Sequence, residues 1–137
     1  MQEIKVGLLG LGTVGTGVVR LLQENFSIIR VKLGAQLTLK KIAVRDIGKD
    51  RGIDLEPGVI TDDFESVLAD PEIAIIVELI GGYRPALEYV LRAIENGKHV
   101  VTANKALLAF HGEEIYAAAA RKRVEVRYEA AVGGGIP

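Results

Sequence analysis

Gly10-Leu11-Gly12-Thr13-Val14-Gly15 carries three glycines at G-x-G-x-x-G spacing, close to the start of the chain. The chemistry such a motif offers is anion binding. Gly10 permits a tight turn, Gly12 lets a pyrophosphate come against bare backbone, and Gly15 lets helix and strand pack closely, with the free N–H groups of the helix start meeting the negative charge. The spacing alone is weak, because any glycine turn between two elements can share it; a buried strand before it and an amphipathic helix after it give it meaning as a dinucleotide site. A second group, Ala43-Val44-Arg45-Asp46, falls where a nucleotide ribose would lie. An acid there binds the 2′-hydroxyl of NAD and an arginine accommodates the 2′-phosphate of NADP, and both types stand here. Asp46 comes later after the last glycine than is usual, which puts Arg45 at the tip and leans the choice to NADP or dual use. The plainer reading of the pair is two solvated loop charges.

Three further groups could act. In Glu78-Leu79-Ile80-Gly81-Gly82, Ile80 and Gly81 could floor the nicotinamide side of a dinucleotide, since ligands of open α/β sheets lie beyond the carboxyl ends of the strands. Glu78, in an otherwise apolar run, needs a partner if buried, and otherwise reaches solvent or caps a loop. In Thr102-Ala103-Asn104-Lys105, a lysine held on the same rim can stabilise negative charge developing on a substrate oxygen or take part in proton transfer; a loop lysine is more often only solvated. Glu129-Ala130-Ala131-Val132-Gly133-Gly134-Gly135-Ile136-Pro137 sets bare carbonyls beside a carboxylate, which suits a hard cation, although the residues alone favour a hinge. His99 and His111 have no partners at metal-ligand spacing, and core or surface roles are expected for both.

The elements that must position these groups can be read from periodicity. Ile4 to Leu9 is a short apolar run with the character of a strand buried on both faces, and Val14, Val18, Leu21 and Leu22 then share one side of a helix running to about Asn25. Phe26 to Gln36 suggests a short extra helix ended by Gly34. Leu37 to Val44 reads as a second strand, Arg45 to Gly58 as a surface loop, and Val59 to Thr61 as a brief third strand. Asp62 or Asp63 can cap a helix holding Phe64, Val67 and Leu68, which Pro71 stops. Ile73 to Ile80 is the clearest interior strand, followed by a helix from Pro85 through Leu87, Val90, Leu91 and Ile94 to Gly97. His99 to Thr102 is a strand, Asn104 or Thr102 can cap a short helix behind it, and a final helix has Glu113 and Glu114 at its front and Arg121, Lys122 and Arg123 at its back, matching the helix dipole. Val124 to Ala130 returns to strand. About six alternations with short links predict a doubly wound α/β domain with a parallel sheet covered on both faces, of the Rossmann type, over residues 1–137.

Composition narrows the field. Among the 137 residues, 49% are apolar and 26% charged, the mix of a globular fold rather than of a disordered chain. Seventeen basic against eighteen acidic residues give a net charge of −1, which offers no field for nucleic acid or an anionic membrane. The apolar run at Ile73 to Ile80 is far short of the roughly 20 residues of a membrane span. The absence of cysteine excludes disulfides, thiolate metal sites and cysteine nucleophiles and fits a reducing cytoplasm, which is the expected compartment.

Taken together, the Gly10–Gly15 motif, Ala43-Val44-Arg45-Asp46, Val101-Thr102-Ala103-Asn104-Lys105 and Glu129 to Pro137 resemble the N-terminal part of homoserine dehydrogenase, over essentially the whole chain. The first motif is widely shared, whereas the Thr-Ala-Asn-Lys element and the Glu-Ala-Ala-Val-Gly-Gly-Gly-Ile-Pro end are specific to that family. The resemblance implies an oxidoreductase of threonine, methionine and isoleucine biosynthesis that interconverts L-homoserine and L-aspartate 4-semialdehyde with NADP or NAD. It implies that Gly10, Gly12, Thr13, Val14 and Gly15 hold the pyrophosphate, that Arg45 selects at the ribose, and that Ile80 and Gly81 lie near the nicotinamide ribose. By the same resemblance Lys105 is a catalytic lysine that also borders the cofactor. Glu129, with the carbonyls of Val132, Gly134 and Ile136, corresponds to a monovalent-cation site for Na+ or K+. Family members continue into a substrate-binding and dimerising domain carrying a second lysine, so these residues are expected to be a cofactor domain inactive alone, from a protein that is a homodimer or larger. Two alternatives compete: a sugar dehydrogenase of the glucose-fructose oxidoreductase type, which usually shows Glu-Lys-Pro where this chain has Asn104-Lys105-Ala106, and a nucleotide-sensing module without catalysis.

Overall fold

From residue 60 onward strands and helices alternate along the chain, and the computed structural model describes residues 2–11, 17, 19, 35–48 and 55–128. The elements are β1 (Gln2–Leu9), β2 (Ala35–Ala43), β3 (Ile60–Thr61), α1 (Phe64–Ala69), β4 (Ile73–Glu78), α2 (Ala86–Glu95), β5 (His99–Thr102), α3 (Lys105–Lys122) and β6 (Val126–Tyr128). All strand pairs are parallel, in the order β3-β2-β1-β4-β5-β6. The order reverses between β1 and β4, the point at which open α/β sheets form a crevice beyond the carboxyl ends of the strands.

Crossover handedness decides which face each helix covers. The links β3–α1–β4, β4–α2–β5 and β5–α3–β6 all travel the same way across the sheet, and right-handed crossovers therefore put all three helices on one face. Leu9, Ile76 and Val100 meet Val67, Val90, Ile94 and Ile115 there. On the other face of β1, β2 and β4, Val6, Leu8, Ile42 and Val77 bury against Val19, which is helical and fully buried. Gly7 makes the first packing possible: a Cβ on it would lie 2.8 Å from Val67 Cγ1 and 3.0 Å from Ile76 Cδ1.

The element ends differ from expectation in a few places. Gln2 and Glu3 extend β1, and β2 begins at Ala35, two residues before the expected Leu37; the proposed extra helix up to Gly34 lies outside the described residues, as does the helix from Val14 to Asn25 except for Gly17 and Val19, both helical. The short helix after Asn104 and the final helix behind Glu113 are one continuous helix, α3, which corrects the dipole assignment: Glu113 and Glu114 sit in mid-helix, and the first turn holds no acid. The glycine at 112 does not interrupt the helix because its neighbours supply enough buried contact, Leu107, Ile115, Ala118 and Ala119, to override a propensity cost of about 1 kcal/mol.

Charge is concentrated at the amino ends of the central strands. The register shift between Val6 and Gly7 leaves Lys40 as the extra residue of β2, and its Nζ donates to Asp70 Oδ2 at 2.5 Å and Glu72 Oε1 at 2.8 Å, with Lys5 donating to the same Glu72 oxygen at 3.0 Å. Lys98, nearly fully buried, donates to the carbonyls of Asp70 and Ile73 at 2.5 and 2.7 Å. Burial holds its ammonium below the usual lysine range.

Candidate functional site

The opposite, carboxyl end of the sheet holds the candidate site. Where β1 stops, Gly10 turns with φ +92°, its N–H donating to Ala43 O at 2.8 Å, while Leu79 N–H donates to Leu9 O at 2.9 Å. A Cβ at position 10 would lie 3.2 Å from both the carbonyl carbon and oxygen of Leu79, so both conformation and space require glycine there. These bonds draw the ends of β1, β2 and β4 together around a cleft of about 490 Å³. That volume suits a nucleotide-sized ligand, and the cleft stands at the point where the strand order reverses.

Of the residues expected from sequence, the cleft brings together Gly10, Arg45 and Ile80, with Asp46 beside Arg45. Arg45 and Asp46 are both exposed, and Asp46 Oδ1 accepts from Gly48 N at 3.1 Å, so one of its oxygens turns its own loop. Gly12, Thr13, Val14 and Gly15 lie outside the described residues. One wall was not foreseen: Phe64 and Tyr89 stack with ring centroids 4.9 Å apart and an interplanar angle of 11°, beside Pro85. Phe64 reads as a core residue of a short helix, and Tyr89 falls between the apolar positions Leu87 and Val90. Nothing in the sequence pairs them, since they reach the cleft from separate crossovers.

Gly81 and Lys105 are not in the cleft lining; Gly81 stands on the adjoining rim loop after β4, and Lys105 opens the helix that follows β5. The two segments are tied together below the surface. Glu78 is fully buried, and its Oε2 accepts from Ile80 N at 2.8 Å and Gly81 N at 3.1 Å while its Oε1 accepts from the Thr102 hydroxyl at 2.6 Å. Thr102 Oγ1 accepts in turn from Asn104 N at 3.0 Å. Asn104 caps α3, its Oδ1 accepting from Leu107 N at 3.0 Å, and donates from Nδ2 to Gly82 O at 2.6 Å. Of the two expected cappers Asn104 holds the helix and Thr102 supports it, and Glu78 caps its own loop rather than reaching solvent. Lys105 is the first residue of α3 and is exposed. A cation in the first turn opposes the helix dipole by about 0.3–1 kcal/mol, so helix stability does not account for a lysine there.

The histidines have structural partners. His99 Nδ1 accepts from Glu125 N at 3.0 Å, joining β5 to the start of β6, and His111 Nδ1 lies 3.0 Å from Glu114 Oε1. Among the described residues no group of three or more His, Cys, Asp or Glu could hold a metal ion, and no helix is long and apolar enough to cross a membrane. Glu129, Val132, Gly134 and Ile136 lie outside the described residues.

Comparison with known proteins agrees with this geometry. Residues 10–129 match the family model described as homoserine dehydrogenase, NAD binding domain. The homoserine dehydrogenase of Synechocystis sp. is 51% identical over 136 residues, covering 99% of this chain and 31% of that protein, and that of Pseudomonas aeruginosa is 51% identical over 137 residues, covering 100% and 31%. The crystal structure of a homoserine dehydrogenase from Thiobacillus denitrificans superposes with a TM-score of 0.88 at 50% identity, over 96% of this chain and 30% of that one. The chain thus spans about a third of the length of the relatives it matches.

Proposed function

The chain belongs to the homoserine dehydrogenase NAD-binding domain family, and from that premise we propose that it is the cofactor-binding part of a longer oxidoreductase interconverting L-homoserine and L-aspartate 4-semialdehyde with NAD(P). The observation that carries the reading is the cleft at the strand-order reversal, floored by Gly10 and flanked by Arg45 and Ile80. The bare backbone at Gly10 accommodates the pyrophosphate, together with Gly12, Thr13, Val14 and Gly15. Arg45 pairs with a ribose 2′-phosphate, which makes NADP the preferred cofactor. Ile80 and Gly81 border the nicotinamide ribose. The nicotinamide supplies a hydride acceptor when bound; the chain's own contribution to the chemistry is Lys105, whose ammonium faces the substrate oxygen and moderates the charge that develops there as its proton leaves.

Residues 1–137 form one domain, and the substrate-gripping residues and subunit contacts belong to the remainder of the proposed enzyme, a cytoplasmic homodimer or larger assembly. Glu129 with the carbonyls of Val132, Gly134 and Ile136 would bind Na+ or K+, a donor set of oxygens suited to a hard cation. The test of the cofactor reading is a fluorescence titration of the chain with NADPH and with NADH. Saturable binding, tighter for NADPH, is the expected result. A folded chain that binds neither overturns the reading.

A further inference from the structure

We propose that Glu78 is a positioning residue for the nicotinamide half of the cofactor: it holds the Leu79–Gly82 loop in the shape that half requires. The inference rests on the cofactor-binding reading above. Glu78 ends a strand whose neighbouring residues are Ile75, Ile76 and Val77, and it is 0% exposed. Among the described residues no lysine or arginine pairs with it. A buried carboxylate costs several kcal/mol in desolvation, and an aliphatic residue at this place would serve the core better. What offsets that cost is a set of three donors, and all three belong to the rim: the N–H groups of Ile80 and Gly81, and the hydroxyl of Thr102.

The loop needs such a hold. Gly81 and Gly82 have φ +82° and +68°, and a Cβ on either would meet nothing within 4 Å, so no packing constrains them. Two successive unpacked glycines sample many conformations unless their backbone groups are bonded. Glu78 bonds the N–H of Gly81, and Asn104 Nδ2 bonds the carbonyl of Gly82. Asn104 is itself oriented by Thr102, which Glu78 orients, so one carboxylate governs both contacts. The ring of Tyr83, next along the loop, meets Phe110 of α3 edge-on at 5.3 Å, joining the loop to the helix that begins with Lys105. Glu78 touches neither the cleft nor Lys105; it acts through the loop.

The test compares two ligands on the 137-residue chain: NADPH, and 2′,5′-ADP, which is the adenosine half alone. Glu78→Ala is expected to weaken NADPH binding about tenfold, the worth of one to two lost hydrogen bonds, and to leave 2′,5′-ADP within about twofold of the parent. Glu78→Gln is expected to recover most of the NADPH affinity, because its amide oxygen can accept from Ile80 and Gly81 while its NH2 donates to Thr102. Thr102→Val, which keeps the shape and removes the hydroxyl, is expected to give a smaller loss of the same NADPH-selective kind, and with Glu78→Gln it decides the matter if Glu78→Ala does not fold by circular dichroism. Equal losses for both ligands, or none for NADPH, overturn the proposal while the cofactor reading stands. Parent chain that binds neither ligand overturns both.

Discussion

Arg45 and Asp46 stand side by side at the mouth of the cleft, and the structure separates their roles in a way their types do not. Asp46 Oδ1 accepts from Gly48 N within its own loop, whereas Arg45 is exposed and lines the cleft, and a guanidinium can donate in pairs to a phosphate. A charge-assisted hydrogen bond contributes about 1.5–3 kcal/mol, so Arg45→Ala is expected to weaken NADPH binding at least tenfold or so and to change NADH binding by less than about twofold. Parallel titrations of the variant with both cofactors check this, and equal losses would assign Arg45 to general electrostatics instead. Much of the cleft was legible in the residues: Gly10, Arg45 and Ile80 were each placed by motif or by position after a strand. The Phe64–Tyr89 wall was not, because ring stacking depends on two crossovers converging and leaves no trace in local spacing.

Helix α3 is the element on which local signals and tertiary packing disagree. The cap at Asn104 and the basic last turn at Arg121 and Lys122 are readable in the sequence and correct. The division into two helices is not, since Gly112 carries the propensity of a break while the buried face through Leu107 and Ile115 carries the chain across it. Gly112 has ordinary helical backbone, and a Cβ there would find only the Tyr116 ring at 3.8 Å, a normal contact. Gly112→Ala is therefore expected to stabilise the chain by about 0.5–1 kcal/mol, read as a raised urea midpoint at unchanged m-value. A destabilised variant would mean that the helix needs its glycine for a closer approach than the described residues contain.

At the scale of the molecule, the two ends of the sheet are built differently: the carboxyl end is an open cleft, and the amino end is clamped by charge. Burial pushes the Asp70 carboxyl up, but hydrogen bonds from Lys40 and from Glu72 N, with the fields of Lys40 and Lys98, outweigh it and hold the group below its ordinary value of 3.8. Bonds from Lys40 and Lys5 lower Glu72 likewise. A carboxyl whose pKa falls on folding contributes stability above its unfolded pKa and loses it as pH drops through the folded one. Acid unfolding should therefore steepen below about pH 4, with protonation of Asp70 releasing Lys40. Asp70→Asn is expected to flatten that acid limb and to lower stability at pH 7, where Lys40 and Lys98 lose a counter-charge; thermal midpoints of parent and variant between about pH 2 and pH 7 check both. An unchanged pH slope in the variant would move the acid sensitivity elsewhere.

The parallel, doubly wound sheet and the family were contained in the residues themselves, because alternation of short apolar runs with amphipathic stretches admits few parallel topologies; the strand order came from the structure. The positions of Gly10, Arg45 and Lys105 at the carboxyl rim follow from the same logic, each standing just beyond a strand end. The tertiary structure alone decided what Glu78 does. Its donors come from the loop after β4 and from β5, 24 residues away at Thr102, and a side chain reports such partners only after the sheet has brought them within hydrogen-bonding distance. Periodicity is a property of neighbours in sequence, whereas the satisfaction of a buried charge is a property of neighbours in space.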